Sequence, residues 1–270
     1  LQKVLITGAA GRLGRVLRTG LAKPDRTLRL LDIANLGTAA DNEEIWNADG
    51  TNLADMVEAM EGVDVVVHLA AYPEEAPWET IFPLNYALTY AVLEAARRAG
   101  VRRVVFASSV QAVGFHPIEK TINHTVRPRP SGYYGVSKVM GEALASLYAD
   151  KHGLSVACVR VASFEKEPTD TRMLSTWLSH EDAVHLFEQC INAPDHHYYV
   201  VYGVSKNTRS RVDNSHAAWL GFKPRSNAED YFEDILRHGQ PMGPLSGRTQ
   251  GGRACDVGFS GDAEKTLSAD

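Results

Sequence analysis

The apolar run Val4-Leu5-Ile6 leads straight into Thr7-Gly8-Ala9-Ala10-Gly11-Arg12-Leu13-Gly14, and a helix-like stretch over 13–21 follows. Few folds accommodate three glycines at this spacing between a strand and a helix. Glycine removes the Cβ that would keep a ligand away from the backbone. The helix that starts inside the turn presents unpaired N–H groups and a partial positive charge, which suit a pyrophosphate. A GxxGxxG string alone is a weak signal. The strand before it and the helix after it make it the mark of a dinucleotide-binding βαβ unit, with Gly8, Gly11, Arg12, Leu13 and Gly14 as its loop.

The next strand, over 28–32, ends in Asp32, 18 residues beyond Gly14. An acid at about that distance accepts hydrogen bonds from a ribose of NAD and repels the 2′-phosphate of NADP. Ile33, Ala34 and Asn35 supply no cation for such a phosphate, and Arg12 is the one residue that argues for it.

The alternation continues, with strands over 43–49, 63–69, 104–107 and 154–161 and helices over 53–60, 83–99 and 134–152. Val63-Asp64-Val65-Val66-Val67-His68-Leu69 is nearly all β-branched, as in a strand covered on both faces. This rhythm predicts an α/β fold, a Rossmann-type doubly wound parallel sheet. The pattern loosens beyond Ser163, where 181–191 and 228–236 read as helices and 198–204 as a strand. The chain therefore reads as one domain over 1–270. A cofactor-binding core covers about 1–163, a small C-terminal substrate lobe interleaved with it covers about 164–238, and a partly mobile tail covers 239–270. A chain of 270 residues can bury such a core. The net charge of −5 gives no support to a nucleic-acid or anionic-membrane partner. No apolar run is long enough to predict a membrane-spanning helix. Three scattered cysteines without a CxxC, and no visible leader, predict a reducing, cytoplasmic setting.

Tyr134-Gly135-Val136-Ser137-Lys138 sets a phenol and an ammonium four residues apart, on one helix face. A phenol acts as a base near neutral pH only if its pKa falls by up to about 3 units, and a neighbouring cation contributes to that. Tyr133 is five residues from Lys138 and off that face. Ordinary helix surfaces carry such pairs, so the pair gains meaning from Phe106-Ala107-Ser108-Ser109. That stretch ends a strand at the side of the sheet where ligands bind, and places the Ser109 hydroxyl beside the phenol.

In this order the glycine turn, Asp32, Ser109, Tyr134 and Lys138 resemble the extended short-chain dehydrogenase/reductase family, over almost the whole chain. The resemblance implies a Rossmann fold, NAD, and hydride chemistry by Ser109, Tyr134 and Lys138. It implies adenine contacts at Asp49 and Gly50, a loop beneath the cofactor at Leu69, Ala70 and Ala71, and further cofactor contacts at Asn85 and Val161. Leu220-Gly221-Phe222-Lys223-Pro224 is similar to the family's C-terminal LGxxP segment. The run from Arg172 to Asp182, with Val159-Arg160-Val161-Ala162-Ser163 and Val201-Tyr202-Gly203-Val204-Ser205, resembles the uronate dehydrogenases more closely. These oxidise C1 of glucuronate or galacturonate to an aldarolactone. The likeness implies that Arg172 grips the substrate carboxylate through two parallel hydrogen bonds. It also implies that Ser109, Val110, Gln111, Tyr134 and Ser163 line the sugar. Those enzymes usually read Ser-Ser-Asn-His where this chain has Ser108-Ser109-Val110-Gln111, and a serine is replaced by Pro73. Gln111 is the candidate substitute for a lost contact.

Other readings stay open. Arg172 also suits a phosphate, and halophilic-archaeal glucose-6-phosphate dehydrogenases resemble the same segments. A neutral aldose is a further possibility, and a redox sensor that holds NAD(P) without turnover is the alternative from another class. His180, Glu181, Asp182 and His185 do not share a helix face and predict a helix start, not a metal site. His196-His197 reads as loop, and His116 and His124 lie in the proline-rich loop 117–130 or beside it. No zinc spacing appears. The apolar face with Tyr86, Tyr90 and Leu93 predicts core packing, and the family resemblance implies that this helix, with the helix of Tyr134, forms the interface of a homo-oligomer.

Overall fold

The computed structural model describes residues 1–240 and 242–269. Strand and helix alternate from the start: β1 (Gln2–Thr7), α1 (Arg12–Gly20), β2 (Arg26–Asp32), β3 (Glu43–Asn47), α2 (Leu53–Ala59), β4 (Val65–His68), α3 (Trp78–Ile81), α4 (Leu88–Arg98), β5 (Arg103–Ser109), α5 (Tyr133–His152) and β6 (Ser155–Val161). Then come β7 (Ser163–Phe164), α6 (Met173–Thr176), β8 (Trp177–Leu178), α7 (His180–Asn192), β9 (Tyr198–Gly203), α8 (Phe232–His238) and α9 (Ala263–Ser268). Seven strands form one parallel sheet in the order β3-β2-β1-β4-β5-β6-β9. The order reverses between β1 and β4, which opens a crevice at the carboxyl ends of those strands.

Side chains alternate across each strand, and both faces are covered. Val4, Ile6, Leu28, Leu30, Val65 and Val67 pack with Leu17 of α1 and with Leu186 and Phe187 of α7. Leu5, Leu31, Val66, Val104 and Phe106 pack with Met56 of α2, Val92 and Leu93 of α4, and Tyr148 of α5. The outer edge of β9 is closed by Asn214. Its Oδ1 accepts the Tyr202 N–H at 3.0 Å and its Nδ2 donates to the Tyr202 carbonyl at 2.9 Å. A side-chain amide so placed leaves the edge no free template there.

One expectation needs correction. The helix predicted to open at Pro83 starts earlier, at Trp78, and runs through the proline. A π-helical segment over Phe82–Ala87 joins α3 to α4 and accommodates the N–H that Pro83 lacks. The described part of the tail is hydrogen-bonded to the loop that follows β5. Pro117 pairs with Thr249, the Ile118 N–H donates to the Arg248 carbonyl at 2.9 Å, and Arg129 donates to the Thr266 and Ala269 carbonyls at 2.7 and 2.9 Å. No helix among the described residues is long and apolar enough to cross a membrane.

Candidate active site

The glycine turn follows β1 at the crevice. Gly8 has φ +73°, and a Cβ there would stand 2.7 Å from the Ala70 nitrogen. Only glycine lets the turn and the segment leaving β4 meet. A Cβ on Gly14 would strike the carbonyls of Gly8 and Ala9. Gly11 precedes α1 and no side chain caps that helix, so its first N–H groups face outward for an anion. Asp32 ends β2 beside the turn, its two oxygens accepting the Ala10 and Ala34 N–H groups at 2.9 Å each. Each carboxylate oxygen keeps a lone pair for ribose. Asp49 accepts from the Thr51 N–H and hydroxyl at 2.9 and 2.8 Å, beside Gly50. Leu69, Ala70, Ala71 and Val161 are half-buried along the same strand ends, and Leu13 packs inward from α1. A glycine cradle, an uncapped helix start and a strand-end acid fit a dinucleotide. Arg12 departs from its expected place. It reaches away to the Phe164 carbonyl at 3.0 Å and to Glu165 at 2.5 Å.

Ser109 is the last residue of β5, and Tyr134 stands in the first turn of α5. The Ser109 hydroxyl favours the phenolate, but burial outweighs it and pushes the phenol up to about 12. Lys138 lies one turn on, its Nζ 5.3 Å from the Tyr134 ring centre and donating to the Ala107 carbonyl at 2.9 Å. Burial lowers this ammonium to about 8, and Glu142 opposes the shift. Glu142 itself accepts from Nε and Nη2 of a buried Arg160, at 2.9 and 2.8 Å, and from Ser108 at 2.6 Å. Burial also drives His68 down to about 3, so it stays neutral between Thr7 and Thr89. The expected serine, tyrosine and lysine are thus brought together.

Ser109 pairs in register with Val161, two residues before Ser163. The Ser163 hydroxyl meets Thr176 at 2.9 Å and accepts from Arg172 Nη2 at 2.7 Å. Arg172 Nη1 donates to the Thr176 hydroxyl at 3.1 Å and the Gln250 carbonyl at 2.8 Å, and its buried Nε has no partner. No carboxylate among the described residues pairs with this guanidinium, whose pKa burial lowers.

Two expected sugar contacts lie elsewhere. Val110 turns into a cluster with Val113, Ile122, Tyr202 and Val204, as a hydrocarbon side chain should. Gln111 donates to the Gly251 carbonyl at 2.9 Å and accepts from Ser131 at 2.5 Å. Its amide fastens the tail, and a sugar reaching it must displace one of these bonds. The histidines also have other partners: His185 accepts the Lys223 N–H at 3.1 Å, and His180 stacks on Phe164. Asp182 accepts the N–H groups of Arg225 and Ser226 at 2.8 and 3.1 Å. No group of three metal-ligating side chains occurs among the described residues.

Three participants were not read from the sequence. Gln250 and Gly252 of the tail lie against Arg172, and a Cβ on Gly252 would strike that guanidinium. Glu75 accepts the N–H groups of Tyr133 and Tyr134 at 2.8 and 3.0 Å. Asn85, expected at the cofactor, brackets the Tyr72 backbone at 2.8 and 3.1 Å. Only the spare acid after a strand end, and a Gly-Gly pair in the tail, hinted at any of this.

The chain is similar to uronate dehydrogenase from Agrobacterium fabrum, 43% identical over 259 residues that cover 95% of this chain and 97% of the relative. A crystal structure of uronate dehydrogenase from Agrobacterium tumefaciens, a mutant complexed with NAD, superposes with a TM-score of 0.90 at 42% identity, covering 94% of this chain and 97% of that one. An NAD-dependent glucose-6-phosphate dehydrogenase from Haloferax volcanii is 37% identical, covering 89% of this chain and 98% of the relative. The model of the NAD dependent epimerase/dehydratase family matches residues 4–198. A glycine cradle at a topological switch point, with serine, tyrosine and lysine converging beside it, is what membership requires, and the chain belongs to the NAD dependent epimerase/dehydratase family.

Proposed function

We propose that this protein is an NAD-dependent dehydrogenase that oxidises C1 of a hexuronic acid, such as glucuronate or galacturonate, to an aldarolactone. The observation that carries the substrate class is Arg172. A buried guanidinium with a bare Nε and no carboxylate partner among the described residues calls for an anion from outside the chain. It lies one serine away from the strand end that bears Ser109.

Gly8, Gly11, Leu13 and Gly14 would hold the pyrophosphate, Asp32 the adenosine ribose, and Asp49 and Gly50 the adenine. Leu69, Ala70, Ala71, Asn85 and Val161 would wall the nicotinamide half. NAD supplies the acceptor for the hydride that leaves C1. Tyr134, as phenolate, takes the proton of the C1 hydroxyl. Ser109 donates a hydrogen bond to that oxygen, and Lys138 keeps a positive charge under the phenol ring. The carbinol would lose its proton to Tyr134 and its hydride to bound NAD, and would become the lactone carbonyl. Ser163 and Arg172 orient the acid end of the sugar.

The proposal includes a homo-oligomer in a reducing, cytoplasmic setting. Trp78, Phe82 and Tyr133 are exposed large aromatics, and the Trp78 ring touches Phe82, Tyr86 and Tyr133, which supports an apolar contact between copies. Cys158, Cys190 and Cys255 are buried and unpaired, which supports the compartment.

A panel of sugars with NAD, followed by NADH absorbance, tests the reading. Galacturonate and glucuronate are oxidised and glucose is not. Arg172→Met lowers kcat/KM for galacturonate by about a hundredfold or more, the scale of a lost bidentate anion contact. A second reading, a sugar phosphate, draws on the same guanidinium and on the Haloferax volcanii relative. Turnover of glucose-6-phosphate alone would move the assignment there, and NAD binding without any turnover would favour a sensor.

A further inference from the structure

The helix that carries Tyr134 has no cap of its own. Gly132 stands at its N-cap and has no side chain to offer. The first two N–H groups of α5, on Tyr133 and Tyr134, are taken instead by the two oxygens of Glu75, 58 residues earlier in the chain. Glycine at 132 is what admits that acid, because a Cβ there would run into the Glu75 carboxyl group. Gly132 has an extended backbone, so space and not a special φ selects it. Glu75 belongs to the segment that leaves β4 past Leu69, Ala70 and Ala71.

That segment grips Tyr134 a second time. Tyr72 is bracketed by the Asn85 amide at 2.8 and 3.1 Å. The same amide donates to the Ser137 hydroxyl at 3.2 Å, and that hydroxyl donates to the Tyr134 carbonyl at 2.7 Å. The N–H of Tyr134 is therefore held by Glu75 directly, and its C=O by Tyr72 through Asn85 and Ser137. A carboxylate also suits the positive end of a helix, which strengthens the first of these links.

We infer that Glu75 is a positioning residue: through Gly132 and the start of α5 it couples the seating of the segment 69–77 to the placement of the Tyr134 phenol. It is hydrogen-bonded to the backbone of α5 and would act through Tyr134. The inference rests on Tyr134 being the base, and the parent's oxidation of galacturonate together with its loss in Tyr134→Phe settles that separately.

The test compares Glu75→Ala, Gly132→Ala and the double variant in the full chain, with NAD and galacturonate. In Glu75→Ala, kcat falls about tenfold to a hundredfold, the cost of a sub-ångström to ångström misplacement of a reacting group. The NADH dissociation constant, read by fluorescence, stays within about threefold. The primary deuterium isotope effect on kcat with C1-deuterated galacturonate rises, because chemistry becomes the slow step. Gly132→Ala does the same by evicting the carboxyl group. The double variant is no slower than Glu75→Ala by more than about twofold, since residues acting as one unit are not additive. Glu75→Gln, which keeps an acceptor oxygen, recovers part of the rate and serves if the alanine variant does not fold. An unchanged kcat and isotope effect, even with a lower melting temperature, would reduce Glu75 to a structural cap. Losses that multiply in the double variant would equally overturn the coupling.

Discussion

Burial works against both members of the tyrosine–lysine pair, raising the Tyr134 phenol to about 12 and lowering Lys138 to about 8. The remedy is mutual. With Nζ 5.3 Å from the ring centre, an effective dielectric near 20 makes the attraction roughly 3 kcal/mol, or about two pH units. A phenolate favoured by a neighbouring cation ionises at lower pH, so activity rises on the alkaline side and starts earlier when Lys138 is present. Lys138→Met is expected to move the rising limb of kcat/KM upward by one to two pH units or so. Tyr134→Phe is expected to lose about a thousandfold or more in kcat while still binding NADH. A rate profile across pH and a fluorescence titration check both. An unmoved limb in Lys138→Met would refute the electrostatic role.

At the scale of elements, ion pairs set how helices sit on the sheet. Glu142 of α5 and Arg160 of β6 lock the catalytic helix to the strand beside Ser109's own. On the other face, Glu188 of α7 binds Arg26 of β2 at 2.7 Å and Lys23 at 2.5 Å. These cations hold the Glu188 carboxyl near 2, against its ordinary 4.5, despite an opposing desolvation. A carboxyl depressed in the folded state stabilises above about pH 4.5, and that contribution fades as pH falls toward 2. Glu188→Gln should therefore cost about 2 kcal/mol near neutral pH, and the gap to the parent should narrow below about pH 4.5 and close as pH falls to about 2. Urea unfolding at several pH values measures it. A gap that persists in acid would mean the loss is packing and not charge.

Taken whole, the last segment of the chain closes over the residues proposed to hold the sugar. Gln250 caps Arg172, Gly251 receives Gln111, and Cys255 and the Gly251 N–H both bond the Gly114 carbonyl. The cofactor cradle, at the far end of the chain, shares none of these contacts. Ending the chain after Gln240 is expected to raise KM for galacturonate about tenfold or more, with the NADH dissociation constant changed by less than about threefold. Initial-rate kinetics and fluorescence titration would show it. Equal losses in both would mean the tail supports the fold as a whole.

The parallel sheet, the glycine turn with Asp32, and the set Ser109, Tyr134 and Lys138 were legible in one dimension. Each is written in local terms: strand and helix periods, a turn that only glycine permits, two residues four apart on one helix. What the folded chain alone decided has no such period. That Glu75 would cap the helix of Tyr134, that Gln111 would hold the tail, and that Arg172 would be left without a carboxylate all depend on groups 58, 140 and 78 residues apart meeting in space. Hydrogen bonds and desolvation act between neighbours in the fold, whatever their distance along the chain, so only the tertiary structure could assign them.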